Sequence, residues 1–197
     1  MKNLMKSILV LTIVFGSFST NASNFAANIE VSRVESKLIK LTLDNLEDGV
    51  SIQLKDSYGE VIYDENVDQN SYIKNFSLVN LIDGNYTLEF RGNTVIKIKS
   101  FVIENNDVVL NSKNDVVIFK PTVTVKDDLV YVNKLANDEN ESFRISIYDE
   151  YSNLLHTENV TGLKNLGKKF NIASLEEGRY DFVMESNGEY FYKTINK

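Results

Sequence analysis

The hexapeptide LIDGNY at residues 81–86 returns as LEEGRY at residues 175–180. In this L-x-x-G-x-Y pattern the leucine is expected to end one strand inside a core. The glycine permits a sharp turn. The tyrosine then opens the next strand, its ring buried and its hydroxyl free to bond backbone upstream. Such a device serves folding rather than chemistry. Leu81, Gly84, Tyr86, Leu175, Gly178 and Tyr180 are therefore read as a structural corner, made twice.

The repetition extends beyond the corner. SIQLKDSYGEVIYDENV (51–67) sets over RISIYDEYSNLLHTENV (144–160), matching Ile52, Asp56, Tyr58, Glu65, Asn66 and Val67 with Ile145, Asp149, Tyr151, Glu158, Asn159 and Val160. After a one-residue insertion, Lys74, Phe76, Leu81, Gly84 and Tyr86 meet Lys168, Phe170, Leu175, Gly178 and Tyr180. Identities in this order indicate an internal duplication. The expected domains are 24–112 and 113–197, with the polar stretch 104–117 as the seam.

Within each copy the apolar period is two. Phe143, Ile145 and Ile147 alternate with Arg144, Ser146 and Tyr148; Tyr86, Leu88 and Phe90 alternate with Thr87, Glu89 and Arg91. That pattern gives each strand one buried and one wet face, as in antiparallel sheets. About seven strands per copy are expected. The fold class is all-β: two tandem antiparallel β-sandwiches of the immunoglobulin-like kind, which use such tyrosine corners. DSYG (56–59) reads as a hairpin turn in which Asp56 bonds the backbone two residues on and Gly59 takes a positive φ. Ser152 replaces that glycine in the second copy, so Asn153 is expected to carry the left-handed conformation there.

Lys2 and Lys6, the apolar run Ile8–Phe15 and a small-residue segment read as a signal peptide over residues 1–22. The run is shorter than the roughly 20 residues that span a bilayer. Secretion or envelope localisation follows, without membrane insertion after cleavage. The chain has no cysteine, which excludes disulfides, thiolate metal sites and cysteine catalysis. A formal charge of −7, with its lysines scattered, argues against nucleic acid as a partner.

The stretches IYDEYSNLLHTE (147–158), KKFNIASLEEGRYDFVM (168–184) and EYFYKTINK (189–197) resemble the C-terminal sorting domains of the type IX secretion system. Those are small immunoglobulin-like sandwiches carried by exported proteins of Bacteroidota. Phe119–Thr122 stands where that family has a Pro-Asn-Pro-like element, and Ser152 where it has the hairpin glycine. The chain is also similar to small flavobacterial secreted proteins built of two such modules. The resemblance implies export, and a sorting role for residues 113–197.

No catalytic constellation is legible. The only histidine, His156, aligns with Tyr63, and the chain lacks G-x-S-x-G, P-loop and dinucleotide patterns. No cofactor is expected, and the protein is read as a non-enzyme. DNLEDG (44–49) and NDENES (137–142) fall at matching places, and Asp44, Glu47, Asp48, Asp138 and Glu141 are candidate calcium ligands for an adhesion module. Tyr148, Tyr151, Tyr190 and Tyr192 are candidates for an outward register that would meet protein or glycan at a cell surface. Lys97, Lys99 and Lys193 are expected to guard sheet edges.

Overall fold

The structure is a computed structural model, described over residues 28–46, 49–162 and 164–197. The signal-peptide reading, Glu47 and Asp48 lie outside the described residues. The chain divides into two compact units, the first ending at Ile118 and the second beginning at Phe119.

The first unit contains β1 (Asn28–Glu35), β2 (Leu38–Asp44), β3 (Val50–Lys55), β4 (Val61–Val67), β5 (Ser71–Ser77), β6 (Gly84–Arg91), β7 (Val95–Glu104) and β8 (Asp107–Leu110). A single 3-10 turn, Ser112–Asn114, leads to β9 (Val116–Phe119). One sheet has the order β1-β2-β5 and the other β4-β3-β6-β7-β8, while β9 also pairs with β7. The pairs with a known register are antiparallel. Ile39, Leu41 and Leu43 of one sheet pack against Ile52, Leu54, Leu88, Phe90, Phe101 and Ile103 of the other. Burying these side chains, at about 1.5–3 kcal/mol each, is what holds the sheets together.

The second unit contains β10 (Thr122–Lys126), β11 (Leu129–Leu135), β12 (Phe143–Asp149), β13 (Leu154–Val160), β14 (Asn165–Asn171), β15 (Arg179–Ser186) and β16 (Glu189–Asn196). Its sheets run β10-β11-β14 and β13-β12-β15-β16. This repeats the first unit's order strand for strand, through β7. Each unit is thus an immunoglobulin-like antiparallel sandwich, of three strands on four in the second unit and of three on six in the first, where β8 and β9 extend the larger sheet. Val130, Val132, Phe143, Ile145, Ile147, Phe170, Phe182 and Met184 form the second core.

Three details differ from the sequence reading. The stretch 104–117 is not a bare linker. Its apolar residue Val108, and Ile118 just beyond it, are buried, and the strands that carry them pair along β7. Consequently β7 is not an edge, and Lys97 and Lys99 do not guard one; the Lys99 ammonium pairs with Asp115 at 2.5 Å. Glu89 is not on a wet face either. It is buried between Lys55, at 2.8 Å, and Arg91, at 2.7 Å.

Candidate binding surface at the hairpin ends

The two hairpins that join β3 to β4 and β12 to β13 are built alike. In the first, Asp56 Oδ1 accepts hydrogen bonds from the backbone N–H of Tyr58 and of Glu60, each at 2.9 Å. In the second, Asp149 Oδ1 accepts from Tyr151 N–H at 3.0 Å and Asn153 N–H at 2.8 Å. Gly59 N–H and Ser152 N–H close the turns onto Asp56 O and Asp149 O. A register shift beside each turn marks a bulge.

Gly59 and Ser152 both take positive φ, 84° and 63°. The expectation that Asn153 carries this conformation is therefore wrong. Asn153 holds the place of Glu60, and its N–H is committed to Asp149 Oδ1. Its Nδ2 also donates to Asp149 Oδ2 at 2.9 Å. The strain of a left-handed non-glycine residue falls on Ser152 instead.

The result is a fixed loop that lifts one tyrosine clear of the protein. Tyr58 is 91% exposed and Tyr151 77%. Sequence reasoning named Tyr151 and missed Tyr58, although the two align. Tyr190 and Tyr192 are exposed on β16, whereas Tyr148 is half-buried.

The L-x-x-G-x-Y corner stands at the same end, because β6 and β15 begin beside the ends of β3 and β12. Tyr86 donates its hydroxyl proton to Ile82 O at 2.9 Å, and Tyr180 to Glu176 O at 2.7 Å. Both rings are buried. Burial, with Asp56 and Asp83 nearby, pushes the Tyr86 phenol above its ordinary range. Leu81 and Leu175 do not end strands; each sits in a turn closed on Leu78 O or Ile172 O. Around these corners the surfaces diverge. Val79 and Ile82 are exposed in the first unit, where the second has Ala173 and Glu176. A hydrogen bond from the exposed Tyr151 hydroxyl to Glu150 raises that phenol's pKa.

Two polar clusters hold most of the perturbed groups. In the first unit Glu65 Oε2 accepts from Tyr72 OH at 2.5 Å, from Lys74 Nζ at 2.8 Å and from Tyr63 OH. The Lys74 bond first, then those of Tyr63 and Tyr72, hold Glu65 down to about 2. The matching positions of the second unit are Glu158, Lys168, His156 and Leu166. Lys168 pairs with Glu158. His156 lies edge-on to Phe170, as Tyr63 does to Phe76. His156 Nε2 and Glu158 Oε2 are buried, 3.7 Å apart and without hydrogen-bond partners.

The other cluster belongs to the second unit alone. Lys134 and Glu141 form an ion pair whose side chains are 0% and 2% exposed. Glu141 Oε1 also accepts from Ser186 Oγ at 2.8 Å, and Oε2 from Asn137 N–H at 2.9 Å. Burial pushes the Glu141 carboxyl up, but Lys134, Asn137 and Ser186 together hold it below its usual value.

Of the calcium candidates, Asp44 is exposed at the end of β2. Asp138 Oδ1 accepts from Asn140 N–H at 2.7 Å. Glu141 has both oxygens committed inside the protein. Among the described residues no three histidine, aspartate or glutamate side chains gather as a cation site. Glu65, Lys74, Lys134 and Glu141 are thus engaged in pairing within their own units.

No protein-family model matches the chain, and no curated protein does. Among solved structures it is similar to the BSP domain of a biofilm-associated protein, at 12% identity and a TM-score of 0.30 over 85% of this chain. It is also similar to a two-domain fibronectin type III segment of chicken tenascin, at 12% identity and a TM-score of 0.33 over 86% of this chain and 98% of that one. The chain spans 28% of the biofilm-associated structure. At such scores the fold assignment rests on the strand pairing itself. Among the described residues no helix is long and apolar enough to cross a membrane.

Proposed function

We propose that the protein is a secreted or envelope-associated binding module without enzymatic activity, and that it meets its partner through the hairpin ends of its sandwiches. One observation carries this reading: the same aspartate-held hairpin, in both units, lifts a tyrosine to near-complete exposure. A rigid amphipathic ring loses little conformational entropy when it stacks on a sugar or anchors an interface. Acidic residues flank both rings, Asp56 and Glu60 at Tyr58 and Asp149 and Glu150 at Tyr151, which suits a ligand without negative charge. Export is supported by the composition of residues 1–22.

Affinity electrophoresis in gels cast with neutral polysaccharides tests the proposal. The protein is expected to be retarded by at least one of them, and Tyr58→Ala/Tyr151→Ala is expected to run freely while keeping its far-UV spectrum. Retardation unchanged in the double variant would overturn the role of the hairpin ends. Shortening of the polysaccharide during the run would overturn the non-enzymatic reading.

A further inference from the structure

The strand β16 ends its sheet. The order β13-β12-β15-β16 has nothing on the far side of β16 among the described residues. The equivalent strand β7 is covered along that side by β8 and β9. A free edge presents a row of main-chain donors and acceptors, and β16 shows Tyr190 and Tyr192 beside it.

The phase of that row can be read from the ladder. Gly178 N–H donates to Lys197 O, and Lys197 N–H to Gly178 O. In an antiparallel ladder such exchanging pairs recur at every second residue, and the β15–β16 register runs without a shift from Arg179↔Asn196 to Ser186↔Glu189. Residues 189, 191, 193 and 195 therefore turn their main-chain groups toward β15. Residues 190, 192 and 194 turn theirs to the free edge.

We propose that this edge pairs with β16 of a second copy of the chain, antiparallel, about a two-fold axis at Phe191. This register sets Tyr190 opposite Tyr192 of the second copy. Each such pair has outward main-chain groups on both sides and closes two backbone hydrogen bonds. It also sets Glu189 opposite Lys193 of the second copy, twice by symmetry. Charges select it over its neighbours. An axis at Tyr192 would leave Glu189 facing Ile195. An axis at Lys193 would bring Glu189 to Lys197, whose ammonium already donates to Ala173 O and Leu175 O, and would set two lysines against each other, which is unfavourable. Lys193 thus favours the register about Phe191 and opposes the one about itself.

Sedimentation equilibrium on the intact protein tests this. The wild type is expected to dimerise reversibly, with a dissociation constant between about 1 µM and 1 mM. Glu189→Lys and Lys193→Glu should each weaken self-association by about tenfold or more. Mixed in equal amounts, the two variants should form a heterodimer, because every facing pair is then of opposite charge. Tyr192→Pro removes an N–H that points to the free edge and none that bonds β15, so it should be monomeric and folded. A wild type that stays monomeric at millimolar concentration would overturn the proposal. Single variants that dimerise alone as well as wild type would also overturn it, by placing the interface elsewhere.

Discussion

The two units carry opposite chemistry at one core position. Leu43 on β2 and Lys134 on β11 face corresponding partners, Tyr72 and Leu166, in the same register. Leu43 is fully buried among apolar neighbours, and a buried Gly92 stands near the end of β6. At the same places the second unit has Lys134 and Ser186, with Glu141 brought in from the loop. One backbone plan thus accepts either hydrocarbon or a charge. The charge is tolerated because the ammonium finds Glu141 and Leu135 O, the latter at 3.0 Å. A buried ion pair adds little net stability over apolar packing, but half of one is costly.

The comparison can be broken most forcefully by removing the acid. Glu141→Gln leaves the Lys134 ammonium buried without its counter-charge, and should destabilise the second unit by about 3–5 kcal/mol. Hydrogen exchange in urea, read on peptides from each unit, should show the loss in residues 119–197. Lys134→Leu added to Glu141→Gln should bring the unit back to within about 1–2 kcal/mol of wild type, since the new amide oxygen can still accept from the Asn137 N–H. No recovery would mean that the charge itself, rather than its pairing, is required.

A smaller test uses the cluster that joins β4 to β5 and β13 to β14. His156→Tyr would give the second unit the hydroxyl that Tyr63 supplies in the first. It should satisfy Glu158 Oε2 and stabilise the unit by about 1 kcal/mol, seen as a higher urea midpoint. In the first unit the acid limb reports on Glu65. Its folded pKa is depressed from 4.5 to about 2, so its contribution is fully present above 4.5 and is lost as pH falls through 2. Because the side chain is a third exposed, screening holds that contribution to about 1 kcal/mol. Glu65→Gln should flatten this limb in the first unit and leave the second unchanged.

The smallest effect belongs to the hairpin. Ser152→Gly makes the second turn like the first and relieves a left-handed serine, worth about 0.5–1 kcal/mol. Thermal unfolding of the second unit should move upward by about 2–8 °C, and an unchanged or lower midpoint would place the strain elsewhere.

The sandwich architecture was legible because half-buried strands write their faces in alternation, and because duplication supplied an internal comparison. The same alternation carried the buried ion pair: Val130, Val132 and Lys134 share one register. A lone lysine on a strand nevertheless reads as an edge or surface residue until its acid is found, and Glu141 arrives from a loop whose path no periodicity predicts. Tyr58 was legible through its match with Tyr151. The covered edge of β7 was not, since Asp, Asn, Ser and Lys around two four-residue strands mask their pairing.

One strand order, built twice, buries a corner tyrosine and displays a hairpin tyrosine in each unit. Limited nitration of the native protein, read by peptide mass spectrometry, tests this arrangement directly. Tyr58 and Tyr151 are expected to react in the folded protein, as are the exposed Tyr190 and Tyr192 of β16, while Tyr86 and Tyr180 stay unmodified until the protein unfolds. Early nitration of either corner tyrosine, or protection of both hairpin tyrosines in the isolated protein, would contradict it.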